Sequence, residues 1–212
     1  MPARGRPRRF DRTAALRTAM VLFWEHGYEG TSLSALTSAM GITATSLYAA
    51  FGSKEQVFRE AVELYNSDSA ASEEALAAGP TAREAIETML RENAAAYVDP
   101  STPRGCMVVL AGMNLTAANE GVGRYLAACR AGDRANVVAR LRRGVREGEL
   151  SSSADPEDVA DYYLTVLHGL SIQARDGFTL EQADAVVDTA MAAWDGFARG
   201  SGGGAASAHE RA

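Results

Sequence analysis

The sequence predicts an all-α protein in two parts, a small N-terminal three-helix domain and a larger helical body. Apolar residues recur at spacings of three and four along most of the 212 residues, and no stretch alternates with the period of two expected of a half-buried strand. Helix start signals recur too: Asp11, Ser53-x-x-Gln56, Thr81-x-x-Glu84, Asp155-Pro156 and Thr179-x-x-Gln182. Charge divides the chain in the same way. Residues 1–60 hold 8 basic and 5 acidic side chains, net +3, and residues 61–212 hold 13 and 22, net −9. A basic end on an acidic body implies that any polyanion is met at the N-terminus.

The first ten residues, MPARGRPRRF, place Arg4, Arg6, Arg8 and Arg9 among Pro2, Gly5 and Pro7. Such a segment cannot bury a core, so residues 1–10 are expected to be a disordered basic arm. Asp11 is an N-cap type, and Leu16, Ala19, Met20 and Phe23 follow it on one face of a first helix that ends at His26-Gly27. Leu33, Leu36 and Met40 form the apolar face of a second, short helix, which Gly41 terminates. Ile42, Leu47 and Phe51 then turn a third helix inward and leave Thr43, Thr45, Ser46 and Tyr48 outside. Two short helices about a glycine turn are a helix-turn-helix, and short hydroxyls with one tyrosine suit phosphate and base-edge contacts in a major groove.

The longer run GYEGTSLSALTSAMGITATSLYAAFGSKEQVF resembles the DNA-binding domain of the TetR family of transcriptional regulators (TetR/AcrR type) over roughly residues 11 to 60. The matching elements are Gly27-Tyr28, Thr31, Gly41, Leu47-Tyr48-x-x-Phe51 and Ser53-Lys54. Met40-Gly41-Ile42 stands where the family more often has Ala-Gly-Val, an apolar change that keeps the turn. The resemblance implies a DNA-binding set of Arg4, Arg6, Arg8, Arg9, Thr31, Thr43, Thr45, Ser46, Tyr48 and Lys54. Lys54 lies in the first turn of its helix, against the dipole, as a phosphate-contacting lysine would.

The domain boundary is expected near residue 65, giving a DNA-binding domain at 11–65 and a ligand-binding and dimerisation domain at 66–199. A helix with Ile86, Met89, Leu90 and Tyr97 stops near Asp99-Pro100. The apolar run Pro103 to Met113 is expected to open a buried helix, and a long helix with seven arginines follows to Gly148. Two apolar stripes close the chain, Val159 to Ala174 and Ala183 to Trp194. By resemblance these last helices pair with a second copy, with Tyr162, Leu170, Val187, Met191 and Trp194 as the expected dimer interface. The tail, residues 200–212, is Gly/Ser/Ala-rich and expected to be disordered.

The resemblance implies a repressor that leaves a palindromic double-stranded DNA operator when a small apolar or amphipathic inducer binds the homodimer. Cys106, Met113, Tyr163, Val166 and His168 are the expected pocket residues. Cys106 offers an alternative, a redox or electrophile sensor, if its helix terminus and the neighbouring Arg104 lower the thiol pKa. A remote alternative, an enzyme with a Cys106 nucleophile and a His168 base, lacks a third orienting group. Two cysteines without a CxxC pair or His cluster support neither a disulfide framework nor a metal site, and no cofactor motif stands in a strand-helix context. No run approaches the ~20 apolar residues of a membrane span and no secretory leader is recognisable, so the expected location is cytoplasmic.

Overall fold

The computed structural model describes residues 11–68 and 76–199. The arginines of the arm and the tail from residue 200 lie outside them. All regular structure among the described residues is helical: α1 (Arg12–Gly30), α2 (Leu33–Met40), α3 (Ala44–Phe51), α4 (Lys54–Asp68), α5 (Ala82–Val98), α6 (Met107–Leu110), α7 (Glu120–Glu147), α8 (Pro156–Arg175), α9 (Leu180–Ala192) and α10 (Trp194–Arg199). A 3-10 turn at Ala117–Asn119 leads into α7. No helix among the described residues is long and apolar enough to cross a membrane.

The predicted caps form. Asp11 accepts a hydrogen bond from the Ala14 N–H, and Asp155 accepts from Glu157 with Pro156 opening the helix. Thr179 and Gln182 complete a reciprocal capping box. α1 breaks at Gly27 (φ 72°, ψ 173°), where its end was expected, and one further turn carries Tyr28 to Gly30.

The N-terminal unit is held by rings. Phe23 meets Phe58 edge-on at 5.0 Å, Tyr28 meets Phe58 at 5.2 Å, and Trp24 meets Tyr65 at 4.8 Å. Such pairs add about 0.5–1.5 kcal/mol each beyond their area burial, and they fix α4 against α1. α4 runs unbroken past residue 65, near which the boundary between domains is expected, inside this helix or just after it.

The body packs α5 against α8 and α9, with α7 across α8. The run from Pro103 to Met113 yields only the one-turn α6, which starts just after Gly105 takes φ 79°. A Cβ on Gly105 would lie 2.6 Å from the Ser171 carbonyl oxygen, so only glycine allows α8 to approach this closely. Several arginines of α7 tie it to its neighbours. Arg134 bonds Asp161 and Glu157, Arg142 bonds Glu157, and Arg143 donates to the carbonyls of Ala77 and Gly79. Arg140 is buried outright.

Candidate nucleic-acid interface and effector cavity

Local chemistry shapes the helix-turn-helix. Ser32 caps α2 by accepting from the Ala35 N–H at 3.0 Å, and Thr43 caps α3 by accepting from Ser46 at 3.1 Å. Between them Gly41 adopts the left-handed conformation (φ 66°), which lets Ile42 donate to the Thr37 carbonyl at 3.0 Å. Leu36 and Leu47 are fully buried and Phe51 nearly so, and this orients α3. Thr43, Thr45 and Ser46 are exposed, and Tyr48 is 50% exposed. The hydroxyls of Thr43 and Ser46 lie 3.0 Å apart, giving a paired polar edge at the N-terminus of α3, where the helix dipole favours phosphate.

Two residues of the expected DNA-binding set have structural duties. Thr31 is 1% exposed, and its hydroxyl donates to the Gly27 carbonyl at 2.7 Å and the Leu22 carbonyl at 3.2 Å. It therefore ties down the break in α1 and cannot offer its side chain to DNA. Ser32 beside it, not anticipated, is the exposed hydroxyl that caps α2. The Lys54 ammonium donates to the Tyr28 carbonyl at 2.7 Å and rests 4.1 Å from the centre of the Tyr28 ring. Burial pushes its pKa down, against an opposing pull from Glu29. It is partly exposed, and an ammonium has two further protons to donate.

A cavity of about 120 Å³ lies behind this unit. Its wall comes from α4 (Tyr65, Asn66), α5 (Met89, Asn93, Tyr97), the α6 turn (Cys106, Val108, Val109), α7 (Arg130, Asp133, Asn136, Val137) and α8 (Leu164, Leu167, His168), with Leu76. Of the five expected pocket residues, Cys106 and His168 line it. The others do not. Met113 is 56% exposed beyond α6. Tyr163 is fully buried against Trp194, its hydroxyl donating to the Ala190 carbonyl. Val166, one residue before Leu167, turns away from the cavity. Tyr65 and Tyr97 were missed as pocket groups, although a tyrosine within an apolar stripe signals a hydroxyl carried into the interior.

Tyr65 and Tyr97 line the cavity together with Cys106. Burial raises the pKa of both and also pushes the thiol up, with the tyrosine and backbone bonds opposing it. The expected lowering of the thiol pKa is thus reversed by burial, and Arg104 points elsewhere, to the carbonyls of Ala174 and Phe178. Burial and the charge of Arg130 push the His168 pKa down. No group of three His, Cys, Asp or Glu side chains among the described residues is placed to hold a metal ion.

The expected dimer residues are mostly spent on the protomer itself. Leu170, Val187, Met191 and Trp194 are 0–4% exposed, so their apolar surface is already covered. Tyr162, at 38%, remains outside, and with it Ile172 at 41% and Val186 at 37%. Thr165, Val166 and Gly169 on α8 and Ala185 and Thr189 on α9 complete this outer face.

The cavity is wired to α1. The Trp24 indole donates to the Gly105 carbonyl at 2.8 Å, and the Tyr28 N–H donates to the Ala111 carbonyl at 2.8 Å. One bond lies at each end of the segment that carries Cys106, Val108 and Val109. Beyond it, Glu29 accepts from the Thr116 N–H, the Thr116 hydroxyl and the Asn119 amide at 2.7–2.9 Å.

Known proteins resemble this chain in sequence and fold. The pattern of the bacterial regulatory proteins of the tetR family matches residues 15–61, and that of the BetI-type transcriptional repressor C-terminal domain matches residues 82–195. The HTH-type transcriptional repressor ComR of Escherichia coli (strain K12) is 33% identical over 196 residues, covering 91% of this chain and 92% of that protein. BdcR, an HTH-type transcriptional repressor of the same organism, is 31% identical over 181 residues, covering 84% and 86%. A cysteine mutant of the TetR family regulator CifR, complexed with 26 bp double-strand operator DNA, superposes with a TM-score of 0.85 at 46% identity, over 89% of this chain and 100% of that one. With its exposed recognition helix and a helical body matched from end to end, the chain belongs to the TetR family of transcriptional regulators, with a C-terminal domain of the BetI-type repressors.

Proposed function

We propose that the protein is a homodimeric repressor that leaves a palindromic operator when a small molecule occupies the cavity. The observation that carries this reading is the double tether of the cavity wall to α1, Trp24 to Gly105 and Tyr28 to Ala111. An occupant that displaces the turn from Cys106 to Val109 acts through those bonds on α1, and through Tyr28 on Lys54 at the edge of the recognition unit. It shifts the population only by as much as it prefers the DNA-incompetent state.

On DNA, Thr43, Thr45, Ser46 and Tyr48 enter the major groove, with Ser32, Lys54 and the arginines of the arm on phosphate. Dimerisation uses the outer face of α8 and α9, where Tyr162, Val166, Gly169, Ile172, Val186 and Thr189 pair with their copies in a four-helix arrangement. The test is operator binding by the purified protein across a salt series, with sedimentation alongside. A steep fall in affinity with salt is expected, reduced in slope by about one for Lys54→Ala and by more for a chain lacking residues 1–9. Ile172→Asp with Val186→Asp is expected to yield monomers that do not hold the operator. Salt-independent binding, or dimers that survive the double substitution, would overturn the corresponding part.

A second reading, covalent modification of Cys106, is favoured by the place of the thiol on the cavity wall and opposed by burial, which raises its pKa. It requires that N-ethylmaleimide release DNA from the wild type and not from Cys106→Ser.

A further inference from the structure

Arg130 stands on the wall of the cavity, and what it offers an occupant rests on the reading of that cavity as the effector site. Arg124, Arg134, Arg140, Arg142 and Arg143 on the same helix each pair with a carboxylate at 2.5–3.7 Å. Arg130 has no such partner among the described residues. Its Nη1 donates instead to the Val108 carbonyl at 2.9 Å, which holds the guanidinium against another wall residue. The Nε and Nη2 groups make no hydrogen bond among the described residues and are not sealed in the interior, so they can meet a ligand.

The rest of the wall agrees with a cation that lacks its counterion. Burial, and after it the charge of Arg130, push the pKa of the wall residue His168 down, so the imidazole is neutral at neutral pH and does not compete for an anion. Asp133, one turn along α7, also lines the cavity, but it already has interactions of its own. Its charge repels a second negative charge more than it opposes the first, which is drawn to Arg130. A carboxylate suits the guanidinium best, because the pair is planar, charge-assisted and bidentate.

Size and polarity bound the remainder. An apolar cavity of about 150 Å³ in another protein accepts benzene, so a space of about 120 Å³ takes one ring or a short branched chain. Val137, Leu164 and Leu167 supply aliphatic wall for it.

We propose that the effector is a small organic monoanion, a carboxylate of about six to eight non-hydrogen atoms, whose charged end lies on Arg130 and whose apolar body lies against Val137, Leu164 and Leu167. Bound there it acts on the hydrogen bond from Arg130 to Val108. That bond enters the segment which the Gly105 and Ala111 carbonyls tether to α1.

Calorimetric titration of the full chain at neutral pH with isovalerate, isovaleramide, isoamylammonium and succinate tests the proposal. The four are similar in size and differ in charge. Isovalerate is expected to bind at least about tenfold more tightly than each of the others, the worth of a hydrogen bond to a charged group. Arg130→Gln, which removes the charge and keeps a donor for Val108, should weaken isovalerate by at least about tenfold and leave isovaleramide within about twofold. Should that variant not fold, the order of the four ligands on the wild type decides alone. Equal binding of isovalerate and its amide, tighter binding of the ammonium or of succinate, an equal effect of Arg130→Gln on acid and amide, or no binding of isovalerate overturns the proposal.

Operator binding in saturating isovalerate separates this proposal from the reading it rests on. Isovalerate bound through Arg130 with unchanged DNA affinity supports the ligand class and overturns the inducer role. Release of DNA by isovaleramide or isoamylammonium, and not by isovalerate, supports the inducer role and overturns the class.

Discussion

The Trp24 indole and the Gly105 carbonyl, 81 residues apart in sequence, meet at 2.8 Å in the interior and join the DNA-binding unit to the wall of the cavity. Removing the donor leaves a buried carbonyl unsatisfied while much of the ring packing remains. Trp24→Phe is therefore expected to lower unfolding stability by about 1–3 kcal/mol and, at temperatures where the variant is folded, to weaken the response of operator binding to ligand. Chemical denaturation and DNA titration with and without ligand measure the two effects. A variant that loses stability but keeps the full ligand response would show that Trp24 is packing alone.

Gly105 itself is a point of close approach between the turn before α6 and α8. A methyl group there meets the Ser171 carbonyl and the Leu110 side chain, in a backbone conformation that side chains rarely adopt. We expect Gly105→Ala to destabilise by about 2–4 kcal/mol and to enlarge or distort the neighbouring cavity, read as a lower unfolding midpoint. A change below about 0.5 kcal/mol would mean that α8 yields easily.

Arg140 is a buried charge with poor company. Its side chain is 1% exposed, its Nε and Nη1 groups have no hydrogen-bond partner, and its contacts to Glu149 and Gly79 are long at 3.4 Å. Glu149, by contrast, also accepts a short hydrogen bond from the Ala82 N–H. Arg140→Met should thus be neutral or stabilising by about 1 kcal/mol, whereas Glu149→Ala, which strands the guanidinium, should cost about 3 kcal/mol. Urea unfolding of the two variants decides, and a large loss for Arg140→Met would contradict the assignment.

Acid should loosen the joint between the two parts at Glu29. The hydrogen bond from the Asn119 amide, then those from the Thr116 N–H and hydroxyl, lower its pKa from 4.5 to about 2. A depressed carboxyl pKa contributes stability that is fully present above about pH 4.5 and is lost as pH falls toward about 2. The stability difference between wild type and Glu29→Gln should accordingly be constant above that window and shrink through it. A difference independent of pH would show that the carboxylate charge contributes nothing there.

The helix-turn-helix was legible because its determinants are local. Thr43, Gly41, Leu47 and Phe51 act within a few residues of one another, and periodicity with caps is enough to place them. The pocket and the interface were not legible in the same way. An apolar stripe says that a face is buried and is silent about what covers it. Val187, Met191 and Trp194 are the stronger stripe of the last hairpin and were taken by the protomer core, which leaves the outer face to weaker signals such as Val186, Thr189 and Gly169. Thr31 was misread for a related reason, since its hydroxyl is taken by the Gly27 and Leu22 carbonyls at the break in α1, which shows only in the folded chain. Arg140 gave no local warning, as it lies among arginines that remain at the surface.

The unbroken α4 bears on how hybrid regulators should be cut. Its first residue, Lys54, belongs to the DNA-binding unit, and Tyr65 and Asn66, about three turns on, are wall residues of the cavity. A chimera spliced at residue 65 would bring a foreign tyrosine position into the host pocket, so specificity for DNA and for ligand would change together. Recombination that keeps the two independent must either cross within α4 ahead of Tyr65 or graft only the surface of α3, leaving the shared helix with the body that reads the ligand.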